Sequence, residues 1–142
     1  MKDSENKKGD SLAMIFHSAS YDKVGYGLII AKAALSMGME VNTLFTYGAL
    51  NRLARNNTDT LGEETDSEIL DVVEKGLTLG IIYPISHQIK DAKRLGLKIY
   101  ACVTTMTLLD INQDELIEEV DKVTGIASFL DIASNATMSL YI

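Results

Sequence analysis

Short apolar runs alternate with amphipathic stretches along the whole chain, and this alternation limits the fold more than any other feature. Residues 12–16, Leu-Ala-Met-Ile-Phe, form a continuous apolar run of the length of a strand buried on both faces. Residues 23–37 have helical spacing, with Val24, Leu28, Ala31 and Leu35 on one face and Gly38 as the stop. A second strand is expected over 40–46 and a short helix over 48–55. Ser67 is positioned to cap a helix running to about 79, and another helix starts near Pro84 and ends at Gly96. The third strand is expected over 98–103, followed by a short helix over 104–109. Asn112 and Glu115 have capping-box spacing and predict a helix over 113–120. A short strand over 122–124, a helix over 126–134 and a last strand over 137–142 complete the pattern.

Strands separated by helices require crossovers, and crossovers give a mainly parallel sheet covered on both faces. The expected fold class is therefore α/β, a flavodoxin-like three-layer domain with about five strands. The 142 residues suit a single domain over 11–142. Residues 1–10 are too polar to repay the entropy of ordering and read as a disordered tail. Residues 56–66 lack apolar periodicity and read as a mobile loop.

Composition excludes several classes. A net charge of −7 argues against nucleic acid and anionic membrane surfaces, which select Lys/Arg clusters. No apolar run approaches the length of a membrane span, and the polar first ten residues do not resemble a secretory signal. A cytoplasmic protein is expected. The single cysteine rules out an internal disulfide, and two histidines without a carboxylate pattern argue against a metal site. Gly25 and Gly27 fall short of a dinucleotide turn, because Ile30 stands where the third glycine belongs. No cofactor is expected.

Reactive groups of parallel sheets gather at the carboxyl ends of the strands. Three loops should reach that edge, at 17–22, 46–48 and 102–105. Cys102 ends a strand just before a predicted helix, where unpaired N–H groups favour an anion. The N–H groups of Val103, Thr104 and Thr105, with the two threonine hydroxyls, are candidate stabilisers of a thiolate or persulfide. His17, Tyr21 and Tyr47 are candidate pocket residues at the same edge. A lone strand cysteine is also compatible with a packed, inert residue.

Several segments resemble the DsrE/DsrF-like sulfur-relay family, in particular a DsrE-related branch often described as peroxiredoxin-like. They are Ser36-Met37-Gly38-Met39-Glu40-Val41 with Leu44-Phe45-Thr46-Tyr47-Gly48-Ala49-Leu50, and Lys98-Ile99-Tyr100-Ala101-Cys102-Val103-Thr104-Thr105-Met106. Gly125 to Leu130 and Met138 to Ile142 resemble the family's closing helix and strand. The resemblance implies a soluble homo-oligomer and a cysteine that carries sulfur as a persulfide, and only Cys102 matches that residue. Its partners would be sulfur donor and acceptor proteins or low-molecular-weight persulfides. The chain departs from the branch in its acidic, less Met-rich 56–84 segment and in having no further cysteine that could resolve a persulfide. Two readings stay open: a sulfur carrier or sulfurtransferase acting through Cys102, and a non-catalytic oligomeric binding or assembly module with Cys102 packed.

Overall fold

A computed structural model describes residues 9–142 of the chain. Most of the expected polar tail therefore lies outside the described residues. Five strands form one parallel sheet: β1 (Ser11–Phe16), β2 (Glu40–Phe45), β3 (Lys98–Cys102), β4 (Lys122–Thr124) and β5 (Met138–Tyr141), in the order β4-β3-β2-β1-β5. The helices are α1 (Tyr21–Ser36), α2 (Tyr47–Asn51), α3 (Ser67–Thr78), α4 (Ile85–Arg94), α5 (Val103–Leu109) and α6 (Ile126–Ser134). The class is the expected α/β three-layer domain.

The period-2 alternation of each strand divides its side chains between two faces. Leu12, Met14, Phe16, Val41, Phe45, Ile99 and Ala101 meet the stripes Val24, Leu28, Ala31 of α1 and Ile85, Ile89, Ala92 of α4. This is the main core. Ala13, Leu44 and Cys102 point to the opposite face and meet Phe129 of α6. That second core is small, because a single short helix supplies its buried aromatic residue.

Two glycines are needed for the close packing and for the helix exit. A Cβ on Gly27 would stand 2.4 Å from the Phe16 ring, so α1 can lie on β1 only with glycine there. Gly38 has φ +87° and turns the chain from α1 into β2. At the start of β4, the Asp121 carboxylate accepts Lys93 Nζ at 2.6 Å and the Ile99 N–H at 2.7 Å.

The structure departs from one helical expectation. Asn112 and Glu115 do form a capping box, but only the 3-10 turn Gln113–Glu115 follows. The Arg55 N–H donates to Glu115 O at 3.0 Å, the Ile117 N–H donates to Leu53 O at 2.7 Å, and Leu116 forms an isolated bridge with Ala54. These tertiary bonds take the backbone groups that a helix over 113–120 would use for itself. The predicted 17–22 loop is also shorter than expected, since α1 already begins at Tyr21.

Candidate functional site at the carboxyl edge of the sheet

Cys102 is both the last residue of β3 and the N-cap of α5. It lies in register with Thr124 of β4. Its side chain packs with Ala13, Leu44 and Phe129, and the residue is 7% exposed. The α5 backbone starts directly at Val103, so the first-turn N–H groups of Val103, Thr104 and Thr105 have no intrahelical partner. Val103 and Thr104 are exposed, whereas Thr105 is buried. Among the described residues, no hydrogen bond joins either threonine hydroxyl to the cysteine sulfur. Thr105 Oγ1 instead accepts the Tyr47 N–H at 3.1 Å, which ties the β2–α2 turn to α5.

Tyr47 opens α2 with φ 43°, a backbone conformation uncommon outside glycine. Its exposed ring stacks on His17 at 5.1 Å, and His17 stacks on Tyr141 at 5.9 Å. The His17 N–H donates to Ile142 O at 2.8 Å, and His17 O accepts the Ala49 N–H at 3.1 Å. The carboxyl ends of β1, β2 and β5 thus form one aromatic row. His17, Tyr47 and Thr105 lie together at this edge, with Thr105 as the link to the Cys102 junction.

Tyr21 sits elsewhere. It is buried at the start of α1 with the Arg52 guanidinium 5.2 Å from its ring centroid. Burial pushes its phenol above the usual tyrosine range, against the opposing pull of the Ile85 N–H and the Arg52 charge. It packs in the interior rather than in the edge loop where its sequence position had put it.

Arg52 is the residue that sequence reasoning missed. It is 2% exposed and uses every guanidinium N–H on backbone carbonyls: Ala19 (from Nε at 3.0 Å and Nη2 at 2.7 Å), Thr58 at 3.2 Å, Thr60, and Leu61 at 3.2 Å. The only sequence signal was an arginine within the otherwise apolar Ala49-Leu50…Leu53-Ala54 pattern. Burial lowers its pKa, opposed by Tyr21 and by the nearby carboxylates of Asp59 and Glu64. The 58–61 part of the stretch expected to be mobile thus carries three carbonyl contacts to one buried side chain.

A polar depression of about 580 Å³ lies among Arg55, Asp59, Ser86, Lys90 and Glu118, and Cys102 is not part of its lining. Among the described residues, no three His, Cys, Asp or Glu side chains converge as metal ligands would, and no helix is long and apolar enough to cross a membrane.

Comparison with known proteins agrees with this layout. The chain is similar to uncharacterized protein YrkE of Bacillus subtilis (strain 168), with 24% identity over 156 residues, covering 91% of this chain and 94% of that protein. The crystal structure of the ychN protein from E. coli superposes with a TM-score of 0.61 at 10% identity, over 94% of this chain and 99% of that one. MTH1491 from Methanobacterium thermoautotrophicum, a protein of unknown function, superposes with a TM-score of 0.55 at 16% identity, over 92% of this chain and 99% of that one. At these identities the two superpositions speak for the fold. The model of the DsrE/DsrF/DrsH-like family matches residues 71–141, which include β3, Cys102, α5 and everything up to β5. With half of its length matched by that model, the chain belongs to the DsrE/DsrF/DrsH-like family.

Proposed function

We propose that the protein is a sulfur carrier that relays sulfane sulfur through Cys102. Family membership supports a sulfur-relay-related role, and the observation that carries the finer reading is the position of Cys102 at the β3–α5 junction. The Cys102 thiolate attacks the terminal sulfur of a donor persulfide, R–S–SH. A new S–S bond forms on Cys102, the donor's S–S bond breaks, and the donor leaves as R–S⁻, so charge and electrons balance. An acceptor thiolate then takes the same sulfur and returns Cys102 as thiolate. The N–H groups of Val103, Thr104 and Thr105 stabilise the anion at each stage. The chain has no second cysteine, so both partners are other molecules or another subunit. The reading takes the protein as a cytoplasmic homo-oligomer with donor and acceptor proteins or low-molecular-weight persulfides as partners.

Intact-mass and peptide mass spectrometry after incubation with a persulfide donor tests this. One added sulfur atom on the Cys102 peptide, absent from Cys102→Ser, is the expected result. No adduct with several donors sinks the reading.

One observation favours a second reading, a non-catalytic binding or assembly module. Cys102 is packed against Phe129 rather than standing open. Alkylation measured against pH separates the two. Slow labelling at every pH, accelerated only on unfolding, favours the module. Labelling of the folded protein at neutral pH favours the carrier.

A further inference from the structure

We propose that α6 is a movable cover over Cys102, and that the Phe129 ring sets how often the thiol can be reached. The inference rests on the sulfur-carrier reading and concerns the regulation of that same site. With the cover in place, Cys102 is 7% exposed and packs with Ala13, Leu44 and the fully buried Phe129. Tyr100, two residues earlier on the same face of β3, meets the Phe129 ring edge-on at 6.0 Å. Sulfur transfer needs the donor sulfur in contact with the Cys102 sulfur, and it leaves one more sulfur atom there. A close-packed face has no room for that atom or for its donor. One of the packed elements has to give way before Cys102 reacts.

The attachment of α6 singles it out as that element. Ala13, Leu44 and Cys102 belong to the central strands β1, β2 and β3, which are hydrogen-bonded on both sides and cannot move alone. Phe129 is the only buried residue of α6, and Ile126 and Leu130 on the same helix stay exposed. Partly buried Ile132 and Ala133 complete its contact with the sheet. The Ser134 hydroxyl donates to Asp131 O at 2.8 Å, and Asn135 Nδ2 donates to the same oxygen at 3.1 Å, so these bonds stay within the helix and its cap. Among the described residues, no hydrogen bond or ion pair joins α6 to another element. The helices on the other face or at the edge are tied: α4 through Lys93 to Asp121 and through the Ser86 N–H to Asp59, and α2 to α5 through Tyr47 and Thr105. At the start of α6, Gly125 alone connects it to β4, and an added Cβ there would meet no atom within 4 Å. The hinge is therefore uncrowded. Local opening falls on elements with few buried apolar contacts, and here one ring supplies most of the hold.

Iodoacetamide labelling of the folded full-length chain tests the cover without any sulfur chemistry, and the single cysteine makes the signal unambiguous. The parent should label about tenfold or more slowly than the same chain unfolded in urea. Phe129→Ala should raise the folded-state rate about tenfold or more, because the ring's hold on the sheet is gone. Ile89→Ala removes a buried side chain of the main core on the opposite face, and should leave the rate near that of the parent although it lowers the urea midpoint. The parent alone gives a second measurement, which stands even where Phe129→Ala fails to fold. Urea below the unfolding transition should raise its labelling rate with a slope about a third or less of the equilibrium m, since lifting α6 exposes far less surface than unfolding. A slope equal to the equilibrium m, a parent that labels as fast as the unfolded chain, or equal rates for Phe129→Ala and Ile89→Ala overturns the proposal. Uptake of sulfur from cysteine persulfide, read by mass spectrometry, should rise in Phe129→Ala by the same factor as labelling. A Phe129→Ala protein that labels fast and takes up no sulfur removes the carrier reading, and the regulation with it. Uptake that is unchanged by Phe129→Ala keeps the carrier and removes the cover.

Discussion

At the residue scale, the most consequential side chain outside the candidate site is Arg52. A buried guanidinium without a carboxylate in contact is tolerable here because each N–H meets a carbonyl, of Ala19, Thr58, Thr60 or Leu61. Removing it strands those acceptors. Arg52→Met is expected to destabilise the protein by about 3 kcal/mol or more, read as a lower urea midpoint. Arg52→Lys keeps the charge but not the planar fork, and should recover only part of the loss. Tyr21, under that guanidinium, gives a pH prediction. Its folded pKa lies above its unfolded value of about 10. The neutral phenol therefore contributes its full stability below pH ~10, and that contribution is lost as pH rises towards the folded pKa. Urea midpoints of the parent should fall more steeply above pH ~10 than those of Tyr21→Phe. Equal slopes would show that Tyr21 titrates normally. Tyr100, also raised by burial, is common to both proteins and cancels in the comparison.

At the scale of elements, the β2–α2 and β3–α5 junctions behave as one unit. The bond from the Tyr47 N–H to Thr105 Oγ1 joins two strand-to-helix turns that are 58 residues apart in sequence. Thr105→Val keeps the shape of the side chain and removes the acceptor. It is expected to cost about 1–2 kcal/mol by denaturant unfolding. It should also slow sulfur uptake at Cys102 more than a substitution of equal cost in α4 does, because it loosens the turn that carries the thiol. Equal effects of the two on uptake would mean that Thr105 matters for stability alone.

At the scale of the whole molecule, apolar side chains stay exposed on the elements around the carboxyl edge: Tyr47, Val103, Ile126, Leu130 and Tyr141. Such residues on neighbouring elements suit contact with another copy. Sedimentation is expected to give a species larger than the 15.5 kDa monomer, and Leu130→Lys is expected to shift it towards the monomer. A monomeric parent at all concentrations would remove the homo-oligomer from the proposed function.

Local pattern alone determined the strand segments, the helix stripes and the strand-end position of Cys102. Burial on a sheet or helix leaves a period in the chain itself, and glycines such as Gly38 mark the exits. The α/β class followed from the same alternation. Tertiary structure decided everything that depends on distant partners. It set the order β4-β3-β2-β1-β5, and it put Cys102 on the thin face under Phe129 rather than in the main core. It stacked His17 between Tyr47 and Tyr141, and it drew Tyr21 inward beneath Arg52. It also cut the helix expected over 113–120 to a single turn, because carbonyls and N–H groups of the 53–55 segment competed for the same backbone. A sequence window records what each residue prefers, whereas a buried guanidinium or a strand-end thiol is defined by groups that only folding brings near.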